Sequence, residues 1–268
     1  MELHKRYQEQ FTAFERSLNG ESETPIHALR RTAMAHFQRS GFPTARDEEW
    51  RFTNIHPIAS RSFTPALSPS KPTLTSADVD RLTIPSTNRL VFVNGHVAPG
   101  LSTLKLPQTV RALSLAQART SDRPLLERFL GTSLNGTETA FTALNPSFLQ
   151  DGFFLYVPAK VEVAEPIMIV YITDQPGADA AMHPRNLIVL EERAAAKVVE
   201  HYVSHRGTGY LTNAVTEILL GRRSRLEHDK IQVEDLASYH MASTRVVQSA
   251  ESIYLSNSFA LGGAIVRN

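Results

Sequence analysis

Residues 186–201 read NLIVLEERAAAKVVEH and residues 213–228 read NAVTEILLGRRSRLEH, so the second stretch repeats the pattern of the first. Each begins with Asn, continues through an apolar run and ends in Glu-His, and the two are offset by 27 residues. A looser third copy follows over residues 246–255. A period of this length, made only of short strands and turns, is typical of a β-solenoid in which each coil packs on the next. The repeat predicts that Asn186 and Asn213 occupy equivalent positions of adjacent parallel coils, with Cα atoms about 4.7–5 Å apart. A twisted sandwich is the alternative.

The β character extends over the C-terminal part of the chain. After Asp151-Gly152 the sequence consists of short runs rich in Val, Ile, Leu and Tyr, separated by turns and not by helices. We therefore expect stacked β coils over residues 151–268.

The N-terminal part is predicted to be helical. Apolar residues at steps of three and four form the stripe of a first helix that ends near Gly20: Leu3, Tyr7, Phe11, Phe14 and Leu18. Thr24 is a good N-cap and Pro25 a good first residue for a second helix, which Ser40-Gly41 ends. Residues 1–62 are thus interpreted as a helical region.

The middle of the chain connects these two parts. Residues 63–87 are rich in Pro, Ser and Thr and predict an irregular connection. The sequence LVFVNGHV at residues 90–97 carries the Asn-Gly signal of a β-hairpin. Breaks at Pro and Gly residues divide residues 111–149 into two or three short helices. We treat residues 63–150 as a helical α/β region that leads into the core.

Composition excludes several classes of function. Among 268 residues, Lys plus Arg number 28 and Asp plus Glu 27, and this balance gives no electrostatic case for nucleic acid or an anionic membrane. The chain has no cysteine, which excludes disulfides, Cys-ligated zinc, a Cys nucleophile and permanent Cys ligation of an iron–sulfur cluster by this chain. No secretory signal and no apolar run long enough to span a bilayer are visible, so a soluble cytoplasmic protein is expected.

A stacked histidine ladder is one candidate site. His201, His205 and His228, with Glu200 and Glu227 beside them, would supply nitrogen and oxygen ligands for a metal if residues 27 apart stack. The interpretation we favour is an exposed polar ladder. The sequence contains no P-loop, GxSxG, HExxH or GxGxxG motif.

Carboxylates are a second candidate set, since β-helix enzymes acting on polysaccharides use an acid/base pair. The residues are Glu191, Glu192, Glu217, Glu234 and Asp235. Their spacing selects no pair, and a solvated face is the interpretation we favour.

The only tryptophan lies in the stretch RDEEWRFTNIHP at residues 46–57, among charged residues. An indole is a large apolar group that usually packs in a core. We therefore expect Trp50 to be buried at a helix end, with Asp47, Glu48, Glu49 and Arg51 facing water.

Five stretches in order resemble the SufB/SufD family of iron–sulfur cluster assembly scaffolds. They are PTARDEEWRFTNIHPI (43–58), LVFVNGHVAPGLS (90–102), FTALNPSFLQDGFFLYVPAKVEVAEPI (141–167), HPRNLIVLEERAAAKVVEHYV (183–203) and LTNAVTEILLGRRSRLEHDKIQ (211–232). The resemblance runs from about residue 40 to the C-terminus. The short helical N-terminus, the early hairpin and the absence of cysteine look more like SufD than SufB.

The resemblance implies a right-handed parallel β-helix preceded by helices, and a scaffold that is not an enzyme. It also implies a SufB-like subunit paired through the β-helices and a SufC-like ATPase as partners. Iron or an iron–sulfur cluster would be contacted only transiently, within the complex. In this family the functional His and Cys positions lie beyond the stretch at residues 261–268, so no catalytic, metal or cofactor residue is assigned.

Because the resemblance places further coils and the SufC-docking region beyond Asn268, the β-helix core over residues 151–268 is expected to be incomplete. We expect this chain to self-associate through residues 253–266 and not to recruit SufC. Two other functions stay open at this point. One is a secreted-type β-helix carbohydrate-active enzyme, and the other is a truncated paralogue used only for protein–protein contact.

Overall fold

The computed structural model describes residues 2–18, 23–69, 73–133 and 139–268. Its helices are α1 Glu2–Ser17, α2 Pro25–Ser40, α3 His56–Ala59, α4 Ser76–Leu82, α5 Leu115–Ser121, α6 Arg123–Phe129 and α7 Ala140–Ser147. Short 3-10 helices lie at Glu48–Trp50 and Pro99–Leu101. The early strands are β1 Thr64–Pro65, β2 Asn88–Val93, β3 His96–Val97, β4 Arg111–Ser114, β5 Phe153–Val157, β6 Ile167–Asp174 and β7 Ala180–Met182. The later strands are β8 Arg185–Leu190, β9 Ala195–Arg206, β10 Leu211–Leu220, β11 Arg225–Val233, β12 Tyr239–Gln248, β13 Ile253–Ala260 and β14 Ile265–Arg267.

Two sheets form the walls of a β-solenoid of about four turns. One wall has the order β1-β7-β10-β8-β5-β4, with β12 beside β10 and β14 beside β12. The other wall has the order β13-β11-β9-β6-β2-β3. Strands of successive coils pair in parallel; β2–β3 and β4–β5 are antiparallel pairs. The predicted fold class, a parallel β-solenoid preceded by helices, is confirmed.

The predicted register between coils is wrong by three residues. The partner of Asn186 is Thr216, whereas Asn213 pairs with Met241. Asn186 faces the lumen and donates to Thr216 Oγ1 at 3.2 Å, while Asn213 faces the helices and donates to the Phe141 carbonyl at 2.9 Å. The structural offset is 30 residues from β8 to β10 and 28 from β10 to β12, because the turns differ in length. The residues that repeat in the sequence therefore do not occupy equivalent positions in adjacent coils.

The lumen has an apolar core, to which the inward-facing residues of the inner coils contribute. Its fully buried members include Phe153, Leu155, Ile167, Ile169, Ile188, Ala214 and Leu226. A second core lies between the helices and the outer face of one wall, where α1, α2 and α7 bring together Tyr7, Phe11, Phe14, Phe37 and Phe148. Deep in this interface, the Arg30 guanidinium donates to the Leu149 carbonyl at 2.7 and 3.0 Å.

The predicted helices α1 and α2 are confirmed. The Thr24 hydroxyl accepts from the His27 N–H at 3.3 Å, Pro25 opens α2, and Gly41 ends it with φ of 63°. Gly20 lies outside the described residues. Three short helices, α5 to α7, occupy residues 111–149 as predicted, together with β4.

The connection over residues 63–87 is more regular than predicted. It contains β1, which pairs with β7, and α4, which Thr75 and Asp78 cap reciprocally. Val79 of α4 packs on the outer face of β2 and β6, so apolar contact fixes this segment. The predicted hairpin is confirmed, and its first strand also extends a solenoid wall through β6.

Candidate functional site

The lumen changes from apolar to polar along the solenoid axis. On the wall formed by β9, β11 and β13, the inward rows are Ala196–Leu226–Tyr254, Val198–His228–Ser256, Glu200–Lys230–Ser258 and Tyr202–Gln232–Ala260. We name five buried ionisable residues here the lumen cluster: Glu200, His228, Lys230, Glu234 and His240. They are the densest group of ionisable side chains inside the described part of the solenoid.

Glu200 lies at the centre of one half of the cluster. Its carboxylate accepts from Thr216 Oγ1 at 2.7 Å and from the Tyr202 hydroxyl at 2.6 Å, and it contacts His228 Nε2 at 3.0 Å. The other ring nitrogen of His228 contacts the Tyr254 hydroxyl at 3.0 Å. A chain of hydrogen bonds thus runs from β9 through β11 to β13.

Glu234 organises the other half. Its carboxylate accepts from Thr212 at 2.5 Å and Gln232 at 3.0 Å, and it contacts His240 Nδ1 at 2.6 Å. Lys230 lies between the two halves and donates to Asn268 Oδ1 at 2.5 Å. The ammonium therefore balances part of the negative charge of both carboxylates.

Burial and hydrogen bonding shift the pKa values of these carboxylates in opposite directions. Burial by itself would raise the pKa of Glu200, but its hydrogen bonds from His228 and Tyr202 and the charge of Lys230 outweigh burial and lower the pKa to about 2. The same balance, with hydrogen bonds from His240, Thr212 and Gln232, lowers the pKa of Glu234. Burial lowers the pKa of Lys230 despite the two carboxylates. Both carboxylates are thus held ionised inside the fold.

This arrangement is an ion-pair network whose carboxylates are fully engaged, although the buried Nε2 of His240 has no hydrogen-bond partner among the described residues. Both oxygens of Glu200 and both of Glu234 are engaged by protein donors, whereas a general base needs an oxygen that can reach a substrate. Across the described residues, no three His, Asp or Glu side chains converge in a way that would hold a metal ion.

Only two of the five histidine-ladder residues come together. Glu200 and His228 form a buried contact, so the favoured interpretation of an exposed ladder is wrong for them. His201 lies on the opposite face of β9, His205 contacts Asp174 at 3.2 Å, and Glu227 faces outward to Lys197 at 2.8 Å. The three-residue register error explains this, since His228 pairs with Val198 and not with His201.

The five carboxylates have separate roles. Glu217 forms a fully buried pair with Arg185 at 2.5 Å, and Glu234 belongs to the lumen cluster, so a solvated face is the wrong interpretation for both. Glu191 accepts from the Tyr156 hydroxyl at 3.3 Å, Glu192 is exposed at a turn, and Asp235 accepts from Thr208 at 2.5 Å.

Burial opposes ionisation of Glu217, but the Arg185 charge and the hydrogen bond from Ser133 outweigh it and lower its pKa. The pair joins β8 and β10 to the chain around Gly131, whose N–H donates to Glu217 at 3.0 Å. It holds the helical part on the solenoid wall.

Sequence reasoning missed Lys230, Gln232 and His240. In β11 the inward residues after Leu226 are polar, while Ile231 and Val233 face outward. An alternating strand normally turns its apolar residues inward. The alternation here therefore indicated that Ile231 and Val233 face inward and the polar residues outward. The one available signal was the occurrence of His, Lys, Gln and Glu at every second residue from 228 to 234.

The coil formed by residues 249–268, which we name the outer coil, exposes much of the chain's apolar surface. Phe259 is 53% and Leu261 69% exposed, and Ile253 and Leu255 are about half exposed. Within the described residues β13 pairs only with β11. Contiguous exposed apolar side chains mark a candidate contact surface.

Trp50 is buried at the short 3-10 helix, with charged neighbours exposed, as predicted. Its ring stacks on Phe141 with centroids 5.5 Å apart, and the Arg267 guanidinium lies 4.1 Å from its ring centroid. The EEWR stretch therefore joins the helical region to the outer coil.

None of the described helices has the length and apolar character needed to cross a membrane. The parallel solenoid and its helical N-terminal layer define a parallel β-helix protein.

Comparison with known families identifies the family of this β-helix. Residues 1–169 match the SufBD protein N-terminal region, and residues 171–268 match the SufBD core domain of the SUF system for FeS cluster assembly. The chain belongs to the SufBD family. The family resemblance predicted from sequence is confirmed, and the carbohydrate-active alternative is not favoured.

Several relatives carry matching names. An iron–sulfur cluster assembly SufBD family protein of Synechocystis is 30% identical over 237 residues, which cover 84% of this chain and 51% of the relative. The iron–sulfur cluster assembly protein SufD of Escherichia coli is 27% identical over 241 residues, covering 88% of this chain and 54% of the relative. The chain spans about half the length of these relatives.

Proposed function

We propose that this chain is a non-catalytic, SufD-like scaffold subunit for iron–sulfur cluster assembly in the cytoplasm. The observation that carries the proposal is the consecutive match of two SufBD family regions to the helical layer and the solenoid. In the complete protein its partners would be a SufB-like subunit and a SufC-like ATPase, and iron or a cluster would be contacted only within that complex.

The chemistry of the described residues agrees with a scaffold role. The lumen cluster uses its carboxylates for internal hydrogen bonds, and the buried Arg185–Glu217 pair is likewise closed. Buried ion pairs of this kind cost desolvation and are kept where geometry supports them, so they fix one arrangement of the coils. This part of the chain contributes a rigid surface.

The outer coil is the surface on which we place the contact with the SufB-like subunit. It carries half-exposed apolar side chains on the outward face of β13: Ile253, Leu255 and Phe259. Aromatic and aliphatic side chains at the centre of a contact contribute most of its affinity. Phe259 and Leu255 are therefore the residues whose replacement should weaken the contact most.

Co-expression with a SufB-like and a SufC-like protein tests the proposal. Tagged chain should capture the SufB-like subunit, and Leu255→Lys with Phe259→Glu should reduce capture at least ~10-fold, since a desolvated anchor is replaced by a charge. Phe52→Glu is the matched control, because Phe52 is exposed but lies far along the chain from the outer coil.

Failure to capture the SufB-like subunit would contradict the scaffold proposal. If the double variant still captures the SufB-like subunit, the scaffold role stands, but the contact lies on another surface. Capture of the SufC-like ATPase alone would contradict the expectation that this chain does not recruit SufC.

A further inference from the structure

A groove lies on the outer face of the wall that contains β6, β9 and β11, beside the segment that follows α4. It has a volume of about 540 Å³, within the range of pockets that hold a ligand or a partner's side chains. Met168, Val199 and Ile231 form its floor, residues 84–87 form its rim, and Phe259 lies at one end. The floor residues point away from the lumen, so the stacking of coils along the solenoid axis leaves the groove open.

The floor of the groove is apolar because of the strand register. Met168 is the partner of Val199 on the adjacent strand, and Ile231 is the partner of Phe259. Val199 and Ile231 are only half-buried, and Ile84 on the rim is 50% exposed. Apolar side chains that stay partly in water are stabilised when a partner covers them.

The charged residues that line the groove, Glu165 and Asp229, are both acidic. Asp229 accepts from Asn257 Nδ2 at 2.8 Å, and neither carboxylate forms an ion pair within the described part of the chain. The groove therefore presents two negative charges that a basic side chain could approach.

The cations of the neighbouring positions are already paired. Lys197, two residues before Val199 on β9, lies 2.8 Å from Glu227. Arg89, the partner of Met168 on β2, lies 2.6 Å from Asp80. The uncompensated charge at the groove is thus negative, and complementarity favours a positively charged partner.

The fold itself shows what packs on this face. Helix α4 lies on the same outer face over β2 and β6, where Val79 belongs to one buried apolar cluster with Val170 and Ile172. The rim of the groove begins at Ile84, just after α4 ends. Four neighbouring strands span about 14 Å, which a helix of about ten residues covers. A second short helix would therefore fit beside α4.

We propose that the groove receives a short, basic amphipathic helix of a partner protein. Apolar residues of that helix would cover Val199 and Ile231, and its Lys or Arg side chains would pair with Glu165 and Asp229. The helix would extend the layer that α4 begins. This contact goes beyond the one proposed for the SufB-like subunit, because Glu165 and Val199 lie outside the outer coil.

Fluorescence anisotropy with a labelled synthetic peptide tests the proposal on the 268-residue chain. The probe is a helix of about 14 residues with Leu on one face and Lys on both flanks, and the matched probe carries Glu in place of Lys. At about 0.1 M salt the Lys peptide should bind at least ~10-fold more tightly than the Glu peptide, because like charges oppose binding of the latter.

Substitutions at exposed or half-exposed positions locate the binding. Glu165→Gln with Asp229→Asn should weaken binding of the Lys peptide about fivefold, since two charge pairs are lost. Ile84→Ser should weaken binding of the same peptide about threefold through lost apolar contact. The matched control is Glu192→Gln with Val247→Ser, an exposed charge and a 51% exposed apolar residue away from the groove, which should leave binding unchanged.

Three results would overturn the proposal. The first is no binding of the Lys peptide, or binding that the groove substitutions leave unchanged. The second is equal or tighter binding of the Glu peptide, because the partner would then not be basic. The third is that Ile84→Ser reduces self-association of the chain while neither peptide binds, because the groove would then receive a second copy of this chain.

Discussion

At the scale of the residue, Trp50 shows how a side chain among charges becomes a structural anchor. The indole contacts Phe141 of α7 on one side and Arg267 of β14 on the other, and only 6% of the residue is exposed. Sequence reasoning predicted its burial because no other residue type in that stretch can fill a core. It could not predict Arg267, which is distant in sequence and reaches Trp50 only once the outer coil has formed.

Trp50→Ala is expected to lower the free energy of unfolding by about 3–5 kcal/mol, since a large buried side chain is removed and a cavity remains. Urea titration followed by circular dichroism measures this. Phe52→Ala is the matched control: Phe52 is 92% exposed two residues away, and its removal should change stability by less than ~0.5 kcal/mol. Equal effects of the two substitutions would contradict the anchoring role of Trp50.

His183 predicts how stability depends on pH. It is buried against Phe148, with ring centroids 5.5 Å apart, and burial lowers its pKa from 6.5 to about 3. Above pH 6.5 the folded and unfolded states both hold a neutral ring, so His183 adds no pH dependence. Below pH 6.5 the unfolded chain binds a proton that the folded chain excludes, and stability falls by up to about 1.4 kcal/mol per pH unit until pH about 3.

The measurement is urea unfolding between pH 7 and pH 5, a range above the usual pKa of the carboxylates. His183→Gln should reduce the slope of stability against pH, whatever its effect on stability at pH 7. His56→Gln, at an exposed position, is the control substitution. An unchanged slope in His183→Gln would contradict the assignment. The buried His201 has a lowered pKa and contributes in the same direction, so some slope should remain.

At the scale of the element, the sequence was enough to predict parallel coils and not enough to predict their register. The local signals that define elements are short-range: the Thr24 cap, the Asn-Gly hairpin and the alternating strands were predicted and are present. Register depends on turn lengths between coils, and these differ by two residues from one coil to the next. The repeat in the sequence does not show how long each turn is.

The same register explains why the lumen cluster was not predicted. A shift by an odd number of residues moves a side chain to the other face of a strand. With the predicted offset His228 stacks on His201; with the observed one it pairs with Val198 and contacts Glu200, on the same inward face of the adjacent strand β9. The positions of buried polar groups that break the usual inward apolar pattern depend on contacts between distant strands. The alternation within one strand does not show those contacts.

At Gly152 the prediction from sequence agrees with the tertiary contacts of the structure. The Asp151-Gly152 pair was identified as the start of the β core, and Gly152 adopts φ of 155°. A Cβ there would lie 1.9 Å from the Arg185 carbonyl oxygen, so only glycine permits β5 and β8 to approach. Asp151 beside it accepts from the N–H groups of Val97 and Ala116, at 3.0 Å each, which ties the hairpin and α5 to the first coil.

Across the whole molecule, the inner coils and the outer coil differ in how much apolar surface they bury and how much they expose. The inner coils have an apolar lumen and a helical layer on one wall, whereas the outer coil has small inward side chains and exposed apolar outward ones. The surface proposed for a SufB-like partner therefore lies on a coil with exposed apolar side chains. Partner binding on that surface would stabilise the outer coil by mass action.

In the absence of a partner, the same surface predicts self-association of the purified chain. The exposed Leu255 and Phe259 can pack against the same side chains of a second copy, which removes apolar area from water. Light scattering coupled to size exclusion should show the monomer giving way to a dimer as concentration rises. Leu255→Lys should shift this equilibrium toward the monomer, because a charged side chain opposes burial of this face, while Phe52→Lys should not. If the unmodified chain stays monomeric at the highest soluble concentration, the outer coil is not self-complementary, and its apolar side chains fit only a surface of different shape.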